Sequence, residues 1–216
     1  MSLRTIRKNV VLAGATACLL LLLSASAAHR APQVGSSVGS ANGLVLSADP
    51  AQSTVHYTVS SSLHTVHGTF ALKRGNLQLD PENGRAAGEI VVDAVSGKSG
   101  NDSRDKKMQK EVLESAHFTD IVFRPELVEG SLTRQGSSGV ILHGVFVLHG
   151  GEHEISVPVQ AELTADHWHG RAQFTVPYND WGLKNPGNFI LKVDHAVSIE
   201  VEMAGTVQAQ VAAAKP

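Results

Sequence analysis

The stretch His167-Trp168-His169-Gly170-Arg171-Ala172-Gln173-Phe174-Thr175-Val176 decides the fold. Trp168, Gly170, Ala172, Phe174 and Val176 take every second position, and His167, His169, Arg171, Gln173 and Thr175 fill the places between. A period of two belongs to an extended strand with one apolar and one wet face. The same period recurs on either side. Ile155, Val157, Val159 and Ala161 alternate with Glu154, Ser156, Gln160 and Glu162, and Val197, Ile199, Val201 and Met203 alternate with Ser198, Glu200 and Glu202. Upstream, Val55, Tyr57 and Val59 alternate with Thr54, His56 and Thr58, and Gly68, Phe70 and Leu72 continue the pattern.

Turn chemistry separates these runs at Asp80-Pro81-Glu82-Asn83-Gly84, Gly136-Ser137-Ser138-Gly139 and His149-Gly150-Gly151-Glu152. About eight or nine strands result, and short loops favour up-and-down antiparallel order. A sheet that long tends to curl and close, which removes its exposed edges. The expected fold is therefore all-β, an eight-stranded antiparallel barrel with one short helix. For that helix, Asp102 or Ser103 is the expected cap, and Asp105 suits the first turn. Arg104 to Glu114 is rich in helix formers and puts Met108, Val112 and Leu113 on one face. Such a helix lies against the barrel or closes one end.

The chain ends read differently. Arg4, Arg7 and Lys8 precede an apolar run from Val10 to Leu23, followed by the small residues Ser24 to Ala28. That order is a secretory signal, expected over residues 1–28. The run is about 14 residues, short of the roughly 20 that span a bilayer. Residues 29–43 read as a flexible spacer, 44–208 as the barrel and 209–216 as a disordered tail. Cleavage removes the only cysteine, Cys18, and with it any disulfide or thiolate chemistry. It also lowers 18 basic residues to 15 against 20 acidic ones, a net charge of about −5. That balance argues against a nucleic-acid partner, which needs a basic footprint. The expected location is the periplasm or outside the cell, with no stable membrane span after cleavage, and a homodimer is a further expected partner state.

An eight-stranded barrel is either filled by side chains or holds one small ligand. Large inward residues (Tyr57, Phe70, Phe123, Phe146, Trp168 and Phe174) alternate here with the small Gly68, Gly144, Gly170 and Ala172. Small residues on an inner face leave room, so the six aromatic residues are the expected lining of an apolar ligand site. A solid-cored sandwich gives the same strand pattern. Eleven histidines raise a rival, a metal-binding or purely structural secreted β protein, with His167 and His169 as the pair best spaced to grip zinc or copper. Their face also carries Arg171 and Gln173, which marks it as wet. The chain has no nucleophile elbow and no phosphate-binding glycine loop, and nothing local supports Ser99, His117 and Asp120 as a triad. No enzyme activity, resident cofactor or metal is expected.

Four stretches resemble one family in their order and spacing. They are Val55-His56-Tyr57-Thr58-Val59 leading to Val66-His67-Gly68-Thr69-Phe70, then Gly100-Asn101 with Arg104-Asp105, then Val140 to Gly150 followed by Val157, and Asn179-Asp180-Trp181-Gly182-Leu183. From about Ser47 to Val207 the chain is similar to the YceI family of bacterial envelope proteins. The resemblance implies a lipocalin-like barrel that binds a polyisoprenoid lipid, such as a quinone or a polyprenyl carrier. Burying roughly 400 Å² of such a tail supplies on the order of 10 kcal/mol, partly offset by association and ordering. A polar head would need a partner at the mouth, for which Arg104 and Lys106 are the candidates. The chain departs from the family at Ser99, where a threonine is usual, and at Tyr178, where an arginine is usual. It lacks the usual proline in Ala116 to Phe123, and it adds Lys184-Asn185-Pro186-Gly187-Asn188.

Overall fold

The computed structural model describes residues 43–209. The expected signal segment, the spacer up to residue 42 and residues 210–216 lie outside them. Nine strands follow one another: β1 (Leu44–Ala48), β2 (Thr54–Ser60), β3 (Thr65–Leu79), β4 (Ala86–Lys98), β5 (Asp120–Gly130), β6 (Gly136–Leu148), β7 (Gly151–Leu163), β8 (His167–Val176) and β9 (Val197–Ala209). Every pairing is antiparallel, each strand from β2 to β9 pairs with the next, and β2 pairs back onto β9. The sheet is thus a closed up-and-down barrel.

The ninth strand does not add a stave. β1 and β2 both run between β3 and β9, β1 against Gly75–Leu79 and Gly205–Ala209, β2 against Thr65–Phe70 and Ser198–Glu202. They are two halves of one stave, broken at Asp49-Pro50. Proline has no N–H for the ladder, and the Asp49 carboxylate accepts from the Ala51 N–H at 2.9 Å to set a short 3-10 turn, Pro50–Gln52. Eight staves and nine strands are therefore both correct counts. Ala209, assigned to the tail from sequence, is the last residue of β9 and pairs with Leu44.

One turn expected from sequence is not a turn. Gly136 to Gly139 opens β6 and pairs with Leu163 to Gln160 of β7. The chain reverses before it, where the Ser138 hydroxyl accepts from the Thr133 N–H at 2.9 Å. Ladder hydrogen bonds along β7 outweigh the local turn preference of two glycines. His149-Gly150 does form the β6–β7 turn, with φ of 52° and 77°, the positive values that a tight hairpin with the right twist requires.

The helix between β4 and β5 also differs in detail. Asn101, rather than Asp102 or Ser103, is the cap: it is extended, and its side chain accepts from the Arg104 N–H at 3.0 Å. α1 (Asp102–Lys107) then widens into a π turn over Met108–Val112, closed by the Leu113 N–H on the Met108 carbonyl at 2.9 Å. The helix, the β2–β3 and β6–β7 hairpins and the long β8–β9 connection all gather at one end of the barrel, here called the upper end. At the lower end Leu44, Leu46, Leu79, Val128, Leu163 and Val207 pack into a solid plug.

The wall has one weak seam. β7 and β8 pair only from Val159–Leu163 to Trp168–Ala172. Above that the two strands separate, and Trp181 of the β8–β9 connection fills in beside them. Its indole stacks on His153 of β7, centroids 4.0 Å apart and 3° from parallel, and meets Phe146 at 5.7 Å.

Candidate functional site

Above the lower plug the barrel is hollow. A lower chamber, together with the solvent it opens onto, spans about 910 Å³ of non-atom space and is lined almost wholly by apolar atoms. An upper chamber, likewise spanning about 920 Å³ with the solvent it opens onto, lies beneath α1 and the π turn, with a lining as apolar as the first. The two share Phe70, Ile121, Phe146 and Ile199, which form a collar between them. Along β9 the lining runs from Val197 to Met203, a path of about 20 Å at strand rise.

The structure brings together all seven residues singled out from sequence. Phe123, Trp168 and Phe174 line the lower chamber, Tyr57 and Arg104 the upper, and Phe70 and Phe146 both. The aromatic groups lie along the walls and do not fill the centre. Tyr57 and Phe70 are in ring contact at 5.3 Å, and Phe146 meets Phe174 edge-on at 6.1 Å.

The four small residues divide differently from expectation. Gly170 and Ala172 line the lower chamber, and a Cβ at Gly170 would meet the Trp168 ring at 3.1 Å. Gly68 leaves no room, because a Cβ there would lie 2.3 Å from the Lys98 carbonyl oxygen and 2.4 Å from the Tyr57 ring. Gly144 likewise faces the Arg124 carbonyl, 2.2 Å from a Cβ, where β5 bulges against β6. These two glycines admit a neighbour's atoms, not a ligand's.

The polar edge of the upper chamber is a compact network. Asp105 is buried, 7% exposed. Its carboxylate accepts from the Ser99 N–H at 2.9 Å and from the Ser99 hydroxyl. The Arg104 guanidinium donates to the Ser99 carbonyl at 2.7 Å and to its hydroxyl oxygen at 2.8 Å. Arg104 is therefore committed to holding the loop, with its stem against the chamber. Lys106 is exposed, and Lys107 lines the chamber instead. The sequence carried that signal, since positions 104, 107 and 108 share a helix face. Ser99, His117 and Asp120 form no triad: Ser99 belongs to the Asp105 network and Asp120 pairs with Lys73.

Tyr178, a departure from the family pattern, sits buried at the base of the β8–β9 connection and donates to the Asp194 carbonyl at 2.6 Å. Burial, with the Asp194 charge adding to it, pushes its phenol up to about 12. Burial also raises Tyr57; a hydrogen bond with Ser99 partly opposes it, while the charges of Asp105 and Arg104 act in opposite senses. These are the two tyrosines of the chain. At pH 10.0, where a free phenol is half ionised, the folded protein should show far less phenolate absorbance than the unfolded chain. The folded state then holds protons that the unfolded state releases, so stability is full below pH 10 and falls as pH rises through about 12. Tyr178→Phe should remove the later step from the absorbance titration. Half-ionisation at pH 10 in the folded protein would contradict the buried placement of both rings.

Among the described residues no group of three or more histidine, cysteine, aspartate or glutamate side chains converges on a metal position. His167 is paired with Asp166 at 3.0 Å on the outside of the barrel. His56 is exposed, and His149 and His153 are absorbed in ring contacts with Phe118 and Trp181.

Fold and cavity together define a lipocalin-like barrel: a closed antiparallel cylinder, plugged below, hollow and apolar within, and topped by a short helix. Residues 46–205 match the family model of the YceI-like domain, and the chain belongs to that family. It is 30% identical over 149 residues to a UPF0312 protein of Pseudomonas fluorescens (strain SBW25), an overlap covering 62% of this chain and 72% of that protein. Among solved structures it is similar to BcnA of Burkholderia cenocepacia, with a TM-score of 0.62 and 13% identity over 74% of this chain and 99% of that one. It is also similar to a polyisoprenoid binding domain from Saccharophagus degradans implicated in plant cell wall breakdown. There the TM-score is 0.56 and the identity 17%, over 76% of this chain and 98% of that domain. At these identities the structural likenesses establish the fold alone.

Proposed function

We propose that the protein binds an apolar isoprenoid-type lipid, a quinone or a polyprenyl carrier, inside the barrel and performs no chemistry on it. One observation carries this reading: two adjoining chambers run through the barrel interior behind walls with almost no polar surface. An empty apolar space is costly in water, because its lining forgoes dispersion contacts. A greasy tail restores them and brings its own apolar surface out of water. The tail lies in the lower chamber and the head faces Lys107 in the upper one. The polyisoprenoid binding domain of Saccharophagus degradans, which shares the fold, supports this choice of ligand. The signal-like segment at residues 1–28 supports export, and we place the protein in the periplasm or outside the cell. No helix among the described residues is long and apolar enough to cross a membrane.

The test is extraction of the purified, processed protein with organic solvent, followed by mass spectrometry. An isoprenoid lipid near one per protein is expected, and delipidated protein should take up added quinone. A lipid-free extract from protein that also refuses added quinone would overturn the reading.

A further inference from the structure

The upper rim carries a feature that ligand binding leaves unexplained. Phe189 is 101% exposed, Ile190 83% and Leu63 72%. All three stand on one side of the barrel mouth. The β2–β3 hairpin that bears Leu63 is hydrogen-bonded to the β8–β9 connection: the Ser62 N–H donates to the Lys192 carbonyl at 2.8 Å, and the Asp194 N–H to the Ser60 carbonyl at 3.0 Å.

Phe189 and Ile190 sit at the tip of a built turn. The Asn188 N–H donates to the Leu191 carbonyl at 2.8 Å, and the Asn188 side-chain oxygen accepts from the N–H groups of Ile190 and Leu191 at 2.9 and 2.8 Å. Asn185 braces the base, donating to the Val193 carbonyl at 3.0 Å and accepting from the Gly187 N–H at 2.8 Å. Turn centres favour glycine, proline, asparagine and aspartate. Phenylalanine and isoleucine there bury nothing in the fold, so folding does not explain them.

The charge around the tip points to the occupant. The whole chain is net acidic, −2. Leu183 to Asp194 holds Lys184 and Lys192 against the single acid Asp194, and Ser61 to Thr65 holds no acidic residue. Lys107 reaches in from α1 and donates to the Pro186 carbonyl at 2.9 Å. Lys184 pairs with Glu111 at 2.8 Å, and Lys192 is exposed beside the tip. The same connection supplies Leu183 and Pro186 to the upper chamber. Apolar tip, cationic flank and cavity mouth thus lie on one continuous surface.

We infer that this rim docks on an anionic lipid bilayer, with Phe189 and Ile190 inserted below the headgroups and Lys192 and its neighbours among the phosphates. Docking there sets the open chamber against the membrane, so a lipid passes between bilayer and barrel without crossing water. The inference rests on the lipid-binding reading for its purpose, though not for its evidence.

The experiment is flotation of the processed protein with vesicles of phosphatidylcholine, alone or mixed with phosphatidylglycerol. Quenching of tryptophan fluorescence by a short-chain quinone in vesicle-free solution is measured in parallel. The protein should float with the anionic vesicles, and added salt should weaken the binding. Phe189→Ser with Ile190→Ser should lower vesicle affinity at least about tenfold, and Lys192→Glu roughly fivefold. Neither change should alter quinone quenching, since none of these side chains lines a chamber. Failure of the unaltered protein to float overturns the inference, as does equal flotation of the double variant. Self-association through the tip without flotation also overturns it. If quenching is absent throughout while flotation still depends on Phe189 and Ile190, the docking surface stands and the lipid-binding reading falls.

Discussion

Ala172→Trp is expected to empty the barrel. Ala172 lies in β8, paired with Val159 of β7 and Val201 of β9, and faces the lower chamber beside Gly170. An indole at this position occupies space that a lipid tail would take. Enlarging a packed core costs about 1–3 kcal/mol through strain, but here the added ring enters a void, so little of that cost applies. The lipid recovered from purified protein should fall at least tenfold (about 1.4 kcal/mol or more in binding), and the melting temperature should hold. Solvent extraction with thermal unfolding reads both. Full lipid occupancy in a well-folded Ala172→Trp protein would show that the lower chamber is not where the ligand lies. A melting temperature that collapses would show that the chamber is smaller than its geometry indicates.

Removing the Asp105 carboxylate is expected to loosen the upper end. In Asp105→Ala the Ser99 N–H and hydroxyl lose their acceptor inside the fold. A buried donor left unsatisfied costs about 1–3 kcal/mol. The Ser99 loop is only partly buried, so the expected loss is about 2 kcal/mol. Because the network ties α1 to the loop that follows β4, the loss should be local first. Hydrogen exchange should quicken over Asp102 to Leu113 before the β6–β7 hairpin responds. Asp105→Asn keeps one acceptor and should fall between. Unchanged exchange and unchanged stability in Asp105→Ala would mean that the network does not hold the helix. This also gives a physical account of the Gly100-Asn101…Arg104-Asp105 pattern, in which Asn101 caps α1 while Arg104 and Asp105 grip Ser99 from two sides.

Most of the barrel was legible because its physics is local. A strand with one face in a cavity and one in water must alternate, and β7, β8 and β9 do so over nearly their whole length. Tyr57, Phe70, Trp168 and Phe174 follow from that parity, whereas Phe123 and Phe146 stand in unbroken apolar runs that parity alone does not orient. Parity does not say what stands opposite. Gly68 and Gly170 read alike in sequence, yet one lies under the Tyr57 ring and the other lines the lower chamber. The Gly136 to Gly139 stretch reads as a turn because turn preferences are local, whereas pairing with β7 is not. Helix periodicity places Lys107, and not its neighbour Lys106, on the face shared with Arg104 and Met108.

By itself the sequence determined the alternation, the all-β class, the helix before β5 and which side chains of the alternating strands point inward, since each depends on neighbours a few residues away. Only the tertiary structure decided that the staves close around empty space, that β1 and β2 make one stave, and that Leu63 stands beside Phe189 on a single rim. Those facts depend on distances between residues far apart in the chain, and such distances are set by the closure and register of the whole barrel.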